Sequence, residues 1–285
     1  MKVALLSLLA PVLGTVVTER TCSYKESTKE VTIDCESKEE KMKDNFKTGM
    51  KCEDAHATFS VEYKFANKTD TTKTKAAVKY DFRILELIEF TPTDITKGYQ
   101  GEAAVSTYPS GGKWNWESIA YDSADGVYNF QATDGVVTLI GHYASKATNE
   151  VFDPNHVKFD VQVDNFPYAS TGTALSISGR LQTDSKLKTK VDGEPTMVVD
   201  LEDEAVEGYF SVVESAKVNG ADTKIVWSNK AGEESNAKTK NVFFTPETTD
   251  KIDTLAWDPE IGANYYSSAT TMMVPLLLSV ILYIL

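Results

Sequence analysis

Histidine and cysteine are scarce in this chain, three of each in 285 residues, and the local signatures that put such residues to chemical use are missing. There is no G-x-S-x-G, no H-E-x-x-H and no C-x-x-C, so the patterns of nucleophile-elbow hydrolases, zincins and dithiol oxidoreductases are absent. His56, His142 and His156 are scattered over different predicted strands and loops and read as ordinary polar residues. Basic residues are outnumbered as well: 29 Lys and Arg stand against 42 Asp and Glu, a net charge of −13. That balance argues against nucleic acid and anionic lipid surfaces, which select Lys/Arg clusters, and leaves cations, basic proteins and mineral surfaces. Asp122 and Asp125 before Gly126 fall short of the D-x-D-x-D-G pattern, so no EF-hand is predicted.

The two ends carry the longest apolar runs, and both fall short of the roughly 20 residues that cross a hydrocarbon core. After Met1 and Lys2, Val3 to Val17 is mostly apolar, interrupted by Pro11 and Gly14, and stops at Glu19 and Arg20. That layout predicts a secretory signal over residues 1–18, cut after Gly14 or Thr18. At the other end the uncharged stretch Met272 to Leu285 follows a polar spacer, Tyr265 to Thr271. Small residues Gly262, Ala263 and Asn264 precede the spacer, in the order of a glycosylphosphatidylinositol attachment signal; Ser267 and Ser268 with Ala269 form a second triplet. The sequence therefore predicts a lipid anchor, or a retained hydrophobic tail, over 261–285, with the protein on the extracellular face of the plasma membrane or shed from it to the extracellular matrix.

Cys22, Cys35 and Cys52 lie close together, and an oxidising compartment favours one disulfide among them. Between the last two, Ser37 to Lys47 reads as a short helix: Ser37 and Glu40 make a capping box, Met42 and Phe46 share a face, and Gly49 suits the stop. A Cys35–Cys52 bridge would clamp that helix; Cys22–Cys35 and Cys22–Cys52 stay open. Residues 19–56 are expected as a small Cys-bearing cap. Asn67-Lys68-Thr69 is the one N-x-S/T sequon, in a polar turn, and predicts a glycan at Asn67.

From Ala57 the apolar period is close to two. Phe59, Val61, Tyr63 and Phe65 alternate with polar residues, as do Val157, Phe159, Val161 and Val163, and Asp134-Gly135 separates two strand patterns in hairpin fashion. Leu85, Leu87 and Ile88 break the alternation, which implies a bulge or burial on both faces. Roughly a dozen strands with frequent turns predict an all-β ectodomain over 57–260, an antiparallel β-sandwich or jelly-roll-like fold, with a subdivision open at 183–195. Glu202, Asp203, Glu204 and Glu207 form the densest acidic run and are candidate Ca²⁺ ligands, since hard cations take several oxygens; no other cofactor is expected. Trp114 and Trp116 share a face and, if turned to water, would form an aromatic platform for a sugar or a protein.

The segments Lys113–Ile119, Asp125–Phe130 and Lys158–Tyr168 resemble stretches of uncharacterised proteins of the cnidarian skeletal organic matrix. The resemblance implies an extracellular, anchored or shed matrix component linked to calcium mineral, and it carries no active-site residues. The leading expectation is a lipid-anchored cell-surface binding or adhesion protein whose partner is an extracellular protein or glycan. Two alternatives stand beside it: a structural matrix protein that binds Ca²⁺ or mineral, and a carbohydrate-active enzyme, since glycosidases need only a pair of carboxylates.

Overall fold

The structure is a computed structural model that describes residues 19–37, 42–67, 75–146, 154–184, 186–190, 196–200, 206–229 and 238–265. Nineteen strands are formed among the described residues, and the pairings between them are antiparallel. In chain order they are β1 (Arg20–Glu26), β2 (Glu30–Ser37), β3 (Met42–Glu53), β4 (His56–Asn67), β5 (Lys75–Phe90), β6 (Ala104–Tyr108), β7 (Ala120–Ala124), β8 (Val127–Thr133), β9 (Val137–Ala144) and β10 (His156–Asp164). There follow β11 (Ala174–Thr183), β12 (Lys186–Lys190), β13 (Thr196–Asp200), β14 (Val206–Ser211), β15 (Ser215–Val218), β16 (Ala221–Asn229), β17 (Thr239–Pro246), β18 (Thr254–Trp257) and β19 (Glu260–Tyr265). No helix among the described residues is long and apolar enough to cross a membrane.

The strands make a flattened, nearly closed barrel. One layer runs β1-β2-β3-β4-β5-β11-β17-β16. In the facing layer β7-β8-β9-β10 leads to β18 and β19, which carry β15 and β14 in turn. Strand β16 turns the corner, pairing with β15 through Ala221–Lys224 and with β17 through Ile225–Asn229. On the other side the Arg20 amide donates to the Ser145 carbonyl at 2.7 Å, beside a Glu19–Lys146 bridge, and joins β1 to the end of β9.

Alternation supplies the core, because a strand with one apolar face is stable only when that face is covered. Phe59 stacks on Phe159 at 4.5 Å, Phe82 meets Phe210 at 4.9 Å and Phe244 meets Trp257 at 4.4 Å, so aromatic rings from the two layers interlock. One continuous core runs from Val31 to Ala263. Strands on either side of 183–195 pair directly, as β11 does with β17. The broken alternation in β5 is a bulge: Glu86 opposes Ser178 and Ile84 opposes Gly179, which leaves Leu85 between them. Beyond it Leu87 faces the main core, while Ile88 and Phe90 turn outward under Tyr99. A bulge of this kind shifts the inward face by one residue.

Two expectations for the N-terminal segment are corrected. Residues 19–56 are three full strands of the barrel, and the helix over Ser37 to Lys47 is not formed: β2 ends at Ser37 and β3 begins at Met42. The i,i+4 spacing of Met42 and Phe46 also fits a period of two, and the inward row Asp44, Phe46, Thr48, Met50, Cys52 is buried throughout. Two polar members of that row conceal its periodicity. Gly49 does not stop a helix; a side chain there would run into the Val31 backbone of the neighbouring strand. Without the helix there is no Cys35–Cys52 clamp. The disulfide joins Cys22 to Cys35, which stand opposite each other in β1 and β2. Cys52 is a buried thiol, pushed up to about 12 by desolvation.

Asp44 is tolerated in the core because Arg20 meets it. The guanidinium donates from Nε and Nη2 to the carboxylate at 2.9 and 3.1 Å, Tyr63 donates its hydroxyl to the same group, and Arg20 also reaches Asn155 Oδ1 at 3.2 Å. Phe46 and Tyr63 place their rings 5.1 and 5.8 Å from the guanidinium carbon. Removing one partner of such a pair strands a charge in low dielectric. Asp44→Ala is expected to cost about 3–5 kcal/mol in urea unfolding, while the double change Arg20→Met, Asp44→Leu costs far less.

Candidate functional site

The barrel has two unlike ends, and strand direction assigns them. Strand β10 starts at His156, opposite Gly262 of β19, and ends at Asp164, opposite Thr254 of β18. The chain enters the fold at Arg20 beside Ser145 and leaves it at Tyr265 opposite Val206, so both termini of the fold lie at the end where β10 starts. The other end, about 25–30 Å away along the nine residues of β10, carries the loops 165–173 and 247–253.

Those loops are held from below and from the side. Inside the mouth of the barrel Glu89 is 0% exposed, on the inward face set by the bulge. Its carboxylate accepts from the backbone amides of Ala169 and Ser170 at 2.8 and 2.9 Å, and from the hydroxyls of Thr173 and Ser106 at 2.8 and 2.5 Å. Desolvation works against its charge, but these bonds together outweigh it and hold the carboxyl below the ordinary range. The loop from Asn165 to Thr173 is thereby fixed to β5. From the side, Asn219 sits in a positive-φ turn with Gly220. It accepts from the amides of Asp253 and Thr254 through Oδ1 and donates from Nδ2 to the Lys251 carbonyl, all within 3.0 Å. The two loops are joined where the Ile252 amide donates to the Tyr168 hydroxyl at 3.3 Å and the Asn165 amide to the Asp253 carbonyl at 2.8 Å. Burial pushes the Tyr168 phenol up to about 12, so it stays protonated.

Between the two loops lies an open groove of about 1020 Å³, lined by Tyr168, Ser170, Thr171, Thr173, Thr249 and Asp250 among others. Loops positioned by a rigid scaffold are the usual carriers of binding function, and fixing them beforehand removes the ordering cost of the complex.

A second polar constellation occupies the outer face of the layer that contains β10. His142 bonds Asn129 at 2.8 Å and lies 3.6 Å from Asp160; Lys158 lies 4.0 Å from Asp258; His156 lies 3.8 Å from Glu260, which also accepts from Tyr209 at 2.7 Å. Burial, with Asp160 beside it, pushes Asp258 up to about 6. The members satisfy one another across the strands of the sheet. His56, away from this face, is 2.8 Å from Glu53.

The residues singled out in the sequence are dispersed. Trp114 and Trp116 are each 4% exposed and stack on each other at 4.9 Å, and the Trp114 indole donates to the Leu85 carbonyl of the bulge at 3.1 Å. The expected aromatic platform is therefore a core element: both rings close the barrel under the 109–119 segment. Gly262 and Ala263 are buried inside β19, and Asn264 continues that strand opposite Glu207. Ser267 and Ser268 lie outside the described residues, as do Glu202, Asp203 and Glu204, while Glu207 is the second residue of β14. Among the described residues no three His, Cys, Asp or Glu side chains gather as a metal site. Asn67 ends β4 opposite Met42, at the terminal end of the barrel. Glu89, the anchor of the loops, belongs to no motif. Its signal is its setting, a carboxylate flanked by Leu87, Ile88 and Phe90 in a run apolar on both faces.

No protein-family model matches the chain, and no curated protein matches it.

Because the folded state lowers the pKa of Glu89 from its ordinary 4.5, this group stabilises the fold above that value and the contribution is lost as pH falls through the folded pKa. The stability difference between wild type and Glu89→Gln is expected to be largest at neutral pH and to shrink below about pH 4.5, as read from urea midpoints across pH. A pH-independent difference would contradict the anchoring role.

Proposed function

We propose that the protein is a lipid-anchored cell-surface binding or adhesion protein, in which an acidic, sandwich-like β-barrel holds a preorganised loop groove away from the membrane. The observation that carries this reading is polar architecture along the barrel axis. Both termini of the fold emerge at one end and the locked loops stand at the other. A lipid at the C-terminus would then leave the groove facing outward, and a glycan at Asn67 would sit at the membrane side, clear of it.

The Cys22–Cys35 disulfide fits an oxidising compartment. Arg20 is built into the core, so a signal peptide ending at Gly14 or Thr18 leaves the fold intact. The strand pairing favours the second attachment triplet over the first. Attachment at Gly262 would remove Ala263, Asn264 and Tyr265, which pair with Gly208, Glu207 and Val206 of β14. Attachment at Ser267 or Ser268 leaves β19 whole.

Treatment of intact expressing cells with phosphatidylinositol-specific phospholipase C is expected to release the protein, with mass spectrometry placing its C-terminus at Ser267 or Ser268. Retention with Met272 to Leu285 attached would overturn the lipid anchor, and a C-terminus at Gly262, Ala263 or Asn264 would overturn the choice of triplet.

A further inference from the structure

We infer that the groove between the Asn165–Thr173 loop and the 247–253 loop binds a neutral carbohydrate chain. The inference rests on the reading of this end of the barrel as the binding end, and it goes further by assigning the ligand class from the chemistry of the walls.

Hydroxyl groups dominate the lining: Ser170, Thr171 and Thr249 are exposed and contribute side chains that both donate and accept, as sugar hydroxyls do. Asp250 adds an exposed carboxylate whose two oxygens can accept from neighbouring hydroxyls of one ring. The cation of the groove, Lys251, is exposed and pairs with Asp253 at 2.8 Å. A sulfated, phosphorylated or sialylated chain would need several converging cations, and among the described residues the lining offers none beyond Lys251. A protein partner would be expected to bury aromatic, Met or Arg anchors in an apolar pocket. The walls here are polar and apolar in about equal measure, and among the described residues Tyr168 is the single aromatic in them, with no Met or Arg beside it. That ring is held in place at both ends, by Phe166 at 4.8 Å and by the bond from the Ile252 amide to its hydroxyl. A fixed ring beside hydroxyls and a carboxylate suits the apolar face and the polar edge of a pyranose.

The volume, about 1020 Å³, is at the upper end for small-ligand pockets, and the groove is open, so it accommodates a chain and not only a terminal residue. Hydrolysis is not part of the inference. Cleavage of a glycosidic bond calls for two carboxylates across the bond, whereas Asp250 is the sole carboxylate among the described lining residues and Glu89 below is engaged by four bonds.

The test uses the full chain, purified in detergent and applied to an immobilised panel of neutral oligosaccharides, with sulfated and sialylated chains alongside. Retention on neutral chains is expected, weakened about tenfold or more by Asp250→Ala and by Thr171→Ala with Thr249→Ala, since bonds to a charged acceptor and to paired hydroxyls are lost. These residues are exposed, so the unfolding midpoint of each variant should stay at the wild-type value. Retention confined to sulfated or sialylated chains would overturn the inference, as would retention indifferent to the substitutions, or no retention on any member of the panel. Lipase release from cells is independent of all three results, so failure here and failure of the anchored-protein reading are told apart.

Discussion

The anchoring of Arg20 is the constraint on which the closed form of this barrel depends. A twisted antiparallel sheet of this size leaves two edges to be managed, and at one end Arg20 of the edge strand β1, whose guanidinium is held by Asp44 within its own layer, reaches Asn155 through that guanidinium and Ser145 through its amide on the facing layer. The cost of burying two charges is offset only because both are bonded to each other and to neighbours.

At the far end a second buried charge has a comparable role for a different purpose. Among the described residues Glu89 has no cationic partner; it is satisfied by two amides and two hydroxyls, and what it organises is an exposed loop, not a core contact. The β5 bulge links the two regions of the core, since without the shift at Leu85 the inward face would present Ile88 and Phe90 to the loops in place of Glu89. One irregularity in one strand thus creates the anchor for the groove, frees the Leu85 carbonyl for Trp114, and turns Phe90 outward to meet Tyr99.

Much of the architecture is legible in the sequence where polar and apolar residues alternate without exception. Val157 to Val163 is the clearest case, with its valine and phenylalanine positions at 0% exposure, and Asp134-Gly135 forms the turn between β8 and β9. Strand β3 is illegible because its inward row contains Asp44 and Thr48, and a local pattern cannot reveal that Arg20, 24 residues away, will neutralise the carboxylate. The two tryptophans pack together, as their spacing implies, yet they are closed to water, because the bulge whose carbonyl receives Trp114 lies in a distant strand. Gly262, Ala263 and Asn264 meet the composition of an attachment site, but small residues also suit a strand crossed by bulky neighbours, and Tyr209 and His156 pack over Gly262. The groove has no local signature at all, since its walls come from two loops far apart in the chain, brought together by Glu89 and Asn219.

The central claim is that the loop end is a rigid, preorganised surface although it is exposed. Native-state hydrogen exchange resolved to single amides tests it most directly. Amides of exposed loops ordinarily exchange through small local openings. If Glu89 and Asn219 lock this end as described, the amides of Ala169, Ser170, Asp253 and Thr254 will be protected nearly as strongly as those of β10 and β11. Exchange of these four at the rate of an unstructured loop, with β10 and β11 still protected, would contradict the account.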